Sequence, residues 1–162
     1  MAVLGSAIFL VVAPGTVAGL VPRWISRWEM KAPLLGFGEF RVLGVALMIA
    51  GAPVLLDSFA RFALQGLGTP APVLPTRHLV VTGFYRLVRN PMYVAVVSLI
   101  LGQGLLFGDV TTLVYGAAVW LAFHLFVLTY EEPTLARTFG AEYDTFRAHV
   151  RRWIPRLTPW RP

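Results

Sequence analysis

The sequence contains no cysteine, which excludes disulfides, thiolate catalysis and cysteine-ligated metal sites. Charged residues are also scarce, because they make up 14% of the 162 residues whereas hydrophobic residues make up 57%. Together with a positive mean hydropathy, this composition differs from that of a soluble globular domain. It predicts a protein integral to a membrane, and we predict no metal site.

The formal net charge is +6. The basic residues flank apolar runs and do not form a basic patch interleaved with aromatic residues. This pattern predicts contact with the phosphates of the lipid bilayer and no nucleic-acid partner. The number of chains in the assembly does not follow from the sequence.

Four apolar runs are long enough to predict membrane-spanning helices. The first, Met1–Pro22, is interpreted as a retained span because no basic region precedes it, unlike a signal peptide. The second runs from about Phe40 to Phe62, the third covers Asn90–Gly108 and the fourth Val110–Tyr130. Gly108 and Asp109 leave room only for a tight turn between the last two spans, which are therefore predicted to form an antiparallel hairpin. The predicted fold class is an all-α integral membrane protein with about four transmembrane helices.

Charged residues interrupt the second predicted span. Only the 15 residues from Val42 to Leu56 lie between charges, which is short for a crossing at a rise of roughly 1.5 Å per residue. Arg41 and Asp57 are therefore predicted to reach the interface, to face protein or to line a wet cavity. Asp57 and Arg61 stand four residues apart, on one helix face, and are predicted to pair.

A Gly- and Pro-rich segment, Gln65–Pro75, predicts a linker without regular structure. It completes an N-terminal region, residues 1–75, that contains the first two spans, and a second region, residues 76–162, follows. Ten arginines lie in the loop before the third span and in the tail, whereas four basic residues lie in the first loop. This asymmetry predicts that both termini and the linker side are cytoplasmic.

The segment VTGFYRLVRNPMY, Val81–Tyr93, stands at the start of the third span. Asn90 is a favoured N-cap residue and Pro91 suits the first helical position, so a helix is predicted to begin here. Its unpaired amide groups, with Arg86 and Arg89 beside them, favour an anionic ligand group. The alternative is that both arginines only anchor the helix among lipid headgroups.

Two adjacent carboxylates, Glu131 and Glu132, directly follow the fourth predicted span. They are expected at the C-terminal end of that helix, where the dipole disfavours negative charge, so their placement indicates a functional role. In an antiparallel hairpin this end lies beside Arg89. The alternative is a structural salt bridge between Arg89 and one of the glutamates.

The tail after Pro133 predicts an amphipathic helix, or two helices broken at Gly140, that covers the site. Its apolar positions recur at steps of three and four residues: Leu135, Phe139, Tyr143, Phe146 and Val150. The residues predicted to anchor this tail are Trp153, Ile154 and Trp160. Two arginines, Arg151 and Arg152, are predicted to contact lipid phosphate.

Two histidines are candidates for a site. His78, before Leu79 and Val80, is by itself more typical of a solvated surface group. His124 lies seven residues before Glu131 on the same helix face, so it either faces the same cavity or bonds to a neighbouring helix.

Two segments carry a family resemblance. TGFYRLVRNPMY, followed about 40 residues later by YEEPTLARTFGAEYDTFRAHVRRWIPR, resembles the isoprenylcysteine carboxyl methyltransferase and phospholipid methyltransferase superfamily, which comprises membrane enzymes that use S-adenosylmethionine. Asn90 stands where the carboxyl methyltransferases commonly have histidine, and Asn-Pro-Met-Tyr also resembles the lipid amine methyltransferases. The acceptor is therefore left open between a lipid amine and an isoprenylcysteine-type carboxylate.

The resemblance implies a cytoplasmic-side pocket for S-adenosylmethionine, with S-adenosylhomocysteine as product, roofed by the C-terminal segment. The implied cofactor-binding residues are His78, Leu79, Val80, Gly83, Tyr85, Arg89, Asn90, Tyr93, Glu131 and Glu132, of which Arg89 and Glu132 are the predicted catalytic residues. The function expected is methyl transfer to a membrane lipid or a lipidated small molecule. Two other functions stay open: a non-catalytic membrane scaffold or small transporter, suggested by Asp57 and His124, and a nicotinamide-dependent membrane reductase.

Overall fold

The computed structural model describes residues 10–64 and 78–161, and the regular elements in these two ranges are all helical. This confirms the predicted all-α class for the described part of the chain. The five main helices are α1 (Leu10–Ser26), α2 (Glu39–Leu64), α3 (Pro91–Phe107), α4 (Val110–Phe139) and α5 (Ala141–His149). Short 3-10 turns occur at Leu34–Gly36 and Gly83–Arg86.

Two segments of the described residues are long and apolar enough to cross a membrane, Glu39–Arg61 in α2 and Val110–Phe139 in α4. Helices α1 and α3 are apolar but shorter. The predicted span Met1–Pro22 lies inside the described residues only from Leu10 onwards, and the predicted linker Gln65–Pro75 lies outside them.

Helices α2 and α3 pack closely because small residues face each other. A Cβ atom added to Gly44 would lie 2.6 Å from the carbonyl oxygen of Gly102, so these backbones approach as only glycine permits. Apolar side chains from α1, α2 and α3 form the buried core beside this contact: Ala18, Leu55, Phe59, Ala95, Val96 and Ile100.

The turn between α3 and α4 is as tight as predicted. Gly108 adopts a left-handed conformation with φ of 69°, and Asp109 caps α4 by accepting a hydrogen bond from the backbone N–H of Thr112 at 2.7 Å. Asp109 also forms a salt bridge with Lys31 from the first loop. Burial opposes ionisation of Asp109, but hydrogen bonds from Lys31 and Thr112 outweigh it and lower the pKa of this carboxyl.

The sequence predicts that the fourth span ends at Tyr130, but the fourth helix continues beyond this residue. It passes through a π-helical turn at Val127–Glu131 and continues to Phe139. Pro133 is tolerated because it falls in the first turn after this change of helical pitch. The prediction that Glu131 and Glu132 lie at the negative end of a helix was therefore wrong, since both lie within a continuous helix.

Helix α5 follows a sharp break at Gly140, as predicted, where φ is 51°. Its apolar face is buried with residues that lie far away in the sequence. Tyr143, Phe146 and Val150 form a second hydrophobic cluster. The side chains packed against it are Leu79, Val81, Leu135, Ala136, Phe139 and Trp160.

Candidate functional site

The C-terminal residues 150–160, which we call the C-terminal strap, run along the segment that precedes α3. Backbone hydrogen bonds join Arg89 N–H to the Arg151 carbonyl at 2.9 Å, and Arg156 N–H to the Leu87 carbonyl at 2.8 Å. The Arg86 carbonyl accepts a hydrogen bond from Trp160 N–H at 2.9 Å. The strap therefore brings its arginines to the start of α3 through backbone bonds, which fix position regardless of side-chain type.

The Arg86 side chain contacts the strap, a role that neither of the two predictions for it, support of an anionic ligand or anchoring among lipid headgroups, included. Its Nε donates a hydrogen bond to the Trp160 carbonyl at 2.5 Å. Trp160 in turn stacks on His149, with ring centroids 5.3 Å apart. Arg86 therefore fastens the end of the strap.

Asn90 precedes α3, as predicted, but its side chain does not cap the helix. The amide Nδ2 instead donates to the carbonyl of Arg152 at 3.2 Å. The carboxamide therefore holds the strap and leaves the N-terminal amides of α3 without a side-chain cap.

The central feature of the site is a carboxylate held between two arginines. Arg152 donates from Nε and Nη2 to the two oxygens of Glu132 at 2.6 and 2.8 Å, a bidentate pair. Arg89 Nη1 lies 3.2 Å from Glu132 Oε1. We call these three residues the arginine–glutamate cluster. Arg152 was predicted to contact lipid phosphate, and this was wrong, since its guanidinium turns inward to Glu132.

Arg89 is the most enclosed member of the cluster. Its side chain is 11% exposed, and Nη1 also approaches the hydroxyl of Tyr143 at 3.4 Å. Its Nε is buried and has no hydrogen-bond partner among the described residues. A buried N–H donor without a partner is costly, so this atom marks a place where an anionic ligand oxygen would be stabilised.

The second carboxylate, Glu131, belongs to a different environment. Its Oε2 accepts a hydrogen bond from the Tyr93 hydroxyl at 2.8 Å, and the Tyr93 ring contacts Phe123 with centroids 4.6 Å apart. Tyr85 is close as well: burial raises the pKa of this phenol and the charge of Glu131 raises it further, while a hydrogen bond with Ser58 opposes both. We call Tyr85, Tyr93 and Glu131 the tyrosine–glutamate cluster.

The remaining predicted site residues belong to the segment that leads into the 3-10 turn at Gly83–Arg86. Leu79 packs on the second hydrophobic cluster and Val80 is buried, whereas His78 is exposed. Gly83 has φ of 54°, and a Cβ there would overlap the guanidinium of Arg61.

Arg61 itself pairs with Asp57, as predicted, at 2.7 Å. This ion pair and the close contact with Gly83 join the end of α2 to the turn that carries Tyr85. The spacing of four residues predicts this pair, but no local pattern in the sequence indicates the contact with Gly83.

His124 accepts a hydrogen bond at Nδ1 from Trp153 Nε1 at 3.0 Å and stacks on Trp120. It was expected to bond to a neighbouring helix or to face the ligand cavity. Its partner is instead the strap, so His124 helps to hold the strap on α4.

An open depression of about 580 Å³ lies over the arginine–glutamate cluster. Its lining consists of Arg89, Glu132, Asp144, Arg147, Ala148 and Arg152. The lining carries three guanidinium groups and two carboxylates, so its net charge is positive. This charge suits a ligand that has a carboxylate or phosphate together with a cationic group.

The described helices are apolar, two of them are long enough to cross a membrane, and ionic side chains pair with one another next to the strap. The sequence of residues 40–142 matches the family model described as phospholipid methyltransferase. The match covers more than half of the chain, and the protein belongs to this family.

A curated relative points to the same superfamily. The chain is 39% identical over 80 residues to the protein-S-isoprenylcysteine O-methyltransferase of Schizosaccharomyces pombe. The alignment covers 48% of this chain and 34% of the relative, so the chain spans about a third of that protein's length. No solved structure matches the chain.

Proposed function

We propose that this protein is an integral membrane methyltransferase that moves a methyl group from S-adenosylmethionine to a lipophilic acceptor within the bilayer. The acceptor class is a lipid amine or an isoprenylcysteine-type carboxylate. The observation that carries the proposal is the arginine–glutamate cluster in a member of the phospholipid methyltransferase family.

The chemistry of the cluster fits the donor. S-adenosylmethionine has a carboxylate, an ammonium group and ribose hydroxyls, and when bound it supplies an electrophilic methyl group on a sulfonium. The buried Nε of Arg89, which has no partner among the described residues, suits the carboxylate. Glu131 and Glu132 are the candidates for the ammonium or the hydroxyls. The donor site proposed is therefore Arg89, Asn90, Glu132 and the neighbouring Tyr85, Tyr93 and Glu131, beside the segment from His78 to Gly83.

The residues around the cluster have supporting roles. The strap and Tyr143 partly enclose Arg89 and Glu132, whose side chains are 11% and 15% exposed at the base of the depression. Partial burial of this kind strengthens electrostatic interactions. Methyl transfer is an in-line displacement that depends chiefly on alignment. The side chains that fix Arg89 and Glu132 would supply that alignment.

The membrane arrangement proposed has four spans, with α1 and α3 crossing beside α2 and α4. The excess of arginines near the site and in the tail supports a cytoplasmic position for both termini and for the donor site. An acceptor in the bilayer would then reach the site laterally, between helices.

Two measurements test this function. Calorimetry with S-adenosylhomocysteine should detect binding to the purified, folded protein, and labelled methyl donor incubated with a total lipid extract should give a labelled lipid. A folded protein that binds no S-adenosylhomocysteine would favour the scaffold or transporter function. A reaction that requires a nicotinamide cofactor and no methyl donor would favour the reductase.

A further inference from the structure

Three polar residues near the end of α2 lie against the turn Gly83–Arg86. Asp57 and Arg61 share one helix face and form an ion pair at 2.7 Å. Ser58, the neighbour of Asp57, is fully buried. We call Asp57, Ser58 and Arg61 the α2 polar patch. The patch belongs to the second span, which has no part in the donor site described above.

The guanidinium of Arg61 lies directly on the backbone of Gly83. A Cβ atom at this glycine would overlap Nε and Cζ of Arg61, and its φ of 54° is a conformation that glycine adopts without strain. Nε of the guanidinium donates to Asp57 Oδ2 at 2.7 Å. Both side chains of the pair are less than a third exposed, at 27% and 29%. The ion pair therefore holds a planar group against the start of the turn.

The other two members of the patch act on the side chain that the turn carries, Tyr85, which is buried. Burial raises the pKa of its phenol, as does the charge of Glu131, whereas a hydrogen bond with Ser58 opposes both and the charge of Asp57 adds a smaller increase. Ser58 is itself held in place, because its hydroxyl donates to the Val54 carbonyl at 2.7 Å. The Tyr85 phenol therefore lies between the α2 polar patch and Glu131.

A role in helix stability alone does not account for this arrangement. An ion pair at a spacing of four residues contributes little to the stability of a helix. An arginine near the end of an apolar helix is also long enough to extend its charge towards the membrane surface. Arg61 instead turns back onto Gly83, so its position affects the turn more than it affects α2.

We propose that Arg61, held by Asp57, is a positioning residue that fixes Tyr85 in the donor site. This inference rests on the proposed function, in which Tyr85 belongs to the donor site, and it deepens that function by naming the residues of α2 that act on the site. Arg61 acts through the backbone of Gly83, and Asp57 acts by orienting Arg61. Methyl transfer depends on alignment, so a small displacement of Tyr85 would weaken the site without unfolding the protein.

The test compares variants of the patch with a matched control in the full-length protein. Arg61→Ala removes the guanidinium, Asp57→Asn removes the charge that orients it, and Asp57→Glu keeps that charge. Arg41→Ala is the same change at the opposite end of α2, where Arg41 Nη2 donates to the Lys31 carbonyl at 2.6 Å. Calorimetry with S-adenosylhomocysteine is carried out well below the unfolding temperature of each variant, which is measured by thermal unfolding in detergent.

The variants of the patch should bind the ligand more weakly than the wild type. Arg61→Ala and Asp57→Asn should each weaken S-adenosylhomocysteine binding about two- to tenfold, as expected for the loss of one hydrogen bond to the ligand. Asp57→Glu should recover most of the lost affinity. Arg41→Ala should bind as the wild type does, whatever its unfolding temperature.

A double-variant cycle tests whether Arg61 acts through Tyr85. Tyr85→Phe removes the hydroxyl that Arg61 is proposed to position, so adding Arg61→Ala to Tyr85→Phe should weaken binding no further. Residues that act as one unit show such non-additive effects, whereas independent sites give additive ones. If Arg61→Ala does not fold, the cycle is measured with Asp57→Asn, which keeps the shape of the side chain.

Two results would overturn the inference while the proposed function stands. Unchanged affinity in Arg61→Ala and Asp57→Asn, with a lower unfolding temperature, would make the pair purely structural. Additive losses in the double variant would show that Arg61 does not act through Tyr85. Failure of the wild-type protein to bind S-adenosylhomocysteine would contradict the proposed function itself and this inference with it, so the two kinds of failure are distinguishable.

Discussion

Arg89→Lys separates a ligand-binding role of this arginine from a purely structural one. Lysine keeps the positive charge but lacks the planar guanidinium and its Nε–H donor. We expect a protein that folds normally and loses most of its methyl-transfer activity. The structure gives a reason for each half of this expectation.

The expected cost to folding is small. Arg89 contributes one contact of 3.2 Å to Glu132, whereas Arg152 keeps two hydrogen bonds to the same carboxylate at 2.6 and 2.8 Å. Glu132 therefore stays paired in the variant, and the loss should be about 1 kcal/mol, the typical net value of one hydrogen bond. The backbone bond from Arg89 N–H to Arg151 does not depend on the side chain.

The expected cost to donor binding is larger. If the guanidinium of Arg89, with its buried Nε, binds the donor carboxylate, its loss should cost about 1.5 to 3 kcal/mol. This corresponds to a roughly 10- to 150-fold weaker affinity. Calorimetry with S-adenosylhomocysteine measures the affinity, and thermal unfolding in detergent measures the stability.

Arg137→Lys is the matched control, because Arg137 is exposed on α4 and donates a hydrogen bond to the neighbouring Thr134 hydroxyl. It should leave affinity and stability unchanged. A ligand-binding role of Arg89 is refuted if Arg89→Lys unfolds at a much lower temperature while its turnover below that temperature stays normal. Arg89 would then be a structural bridge to Glu132.

Three further predictions concern other parts of the structure. Glu132→Gln should weaken S-adenosylhomocysteine binding roughly tenfold or more, because it removes the charge that orders two arginines; an unchanged dissociation constant would contradict this. Gly83→Ala should destabilise the protein by about 1 to 2 kcal/mol, because alanine is strained at positive φ and its Cβ displaces Arg61. Gly38→Ala, at an open position, is the thermal-unfolding control. The pKa of Asp109 is lowered in the folded protein, so its ionised carboxylate stabilises the fold at pH values above the ordinary pKa of 3.8, and this stability is lost as the pH falls through the folded-state pKa. The unfolding temperature should therefore drop on acidification below about pH 4. Asp109→Asn should reduce this pH dependence.

The tight hairpin and the break at Gly140 could be predicted from the sequence because each depends on neighbouring residues. Gly108 and Asp109 leave room only for a short turn, and the structure places both as turn and cap. The pairing of Asp57 with Arg61 was predictable for the same reason, since a spacing of four residues puts two side chains on one helix face.

The proximity of Arg89 to the acidic pair was also predictable, since an antiparallel hairpin brings its two outer ends together. The sequence could not tell which glutamate would meet the arginine. The π-helical turn at Val127–Glu131 ends on the first glutamate of the pair, and the α-helical pitch resumes at the second. It turns Glu132 towards Arg89 and Glu131 towards Tyr93.

The sequence by itself determined the helical class, the membrane character and the polar residues at the start of α3, because composition, apolar run length and local helix signals are properties of neighbouring residues. Only the tertiary structure decided the partners of those polar residues. Arg152 reaches Glu132, Asn90 holds the strap instead of capping α3, and Arg86 fastens Trp160. Each of these contacts joins residues 20 to 74 positions apart. Their pairing follows from backbone bonds that fix the strap along residues 86–89, and no local pattern encodes that path.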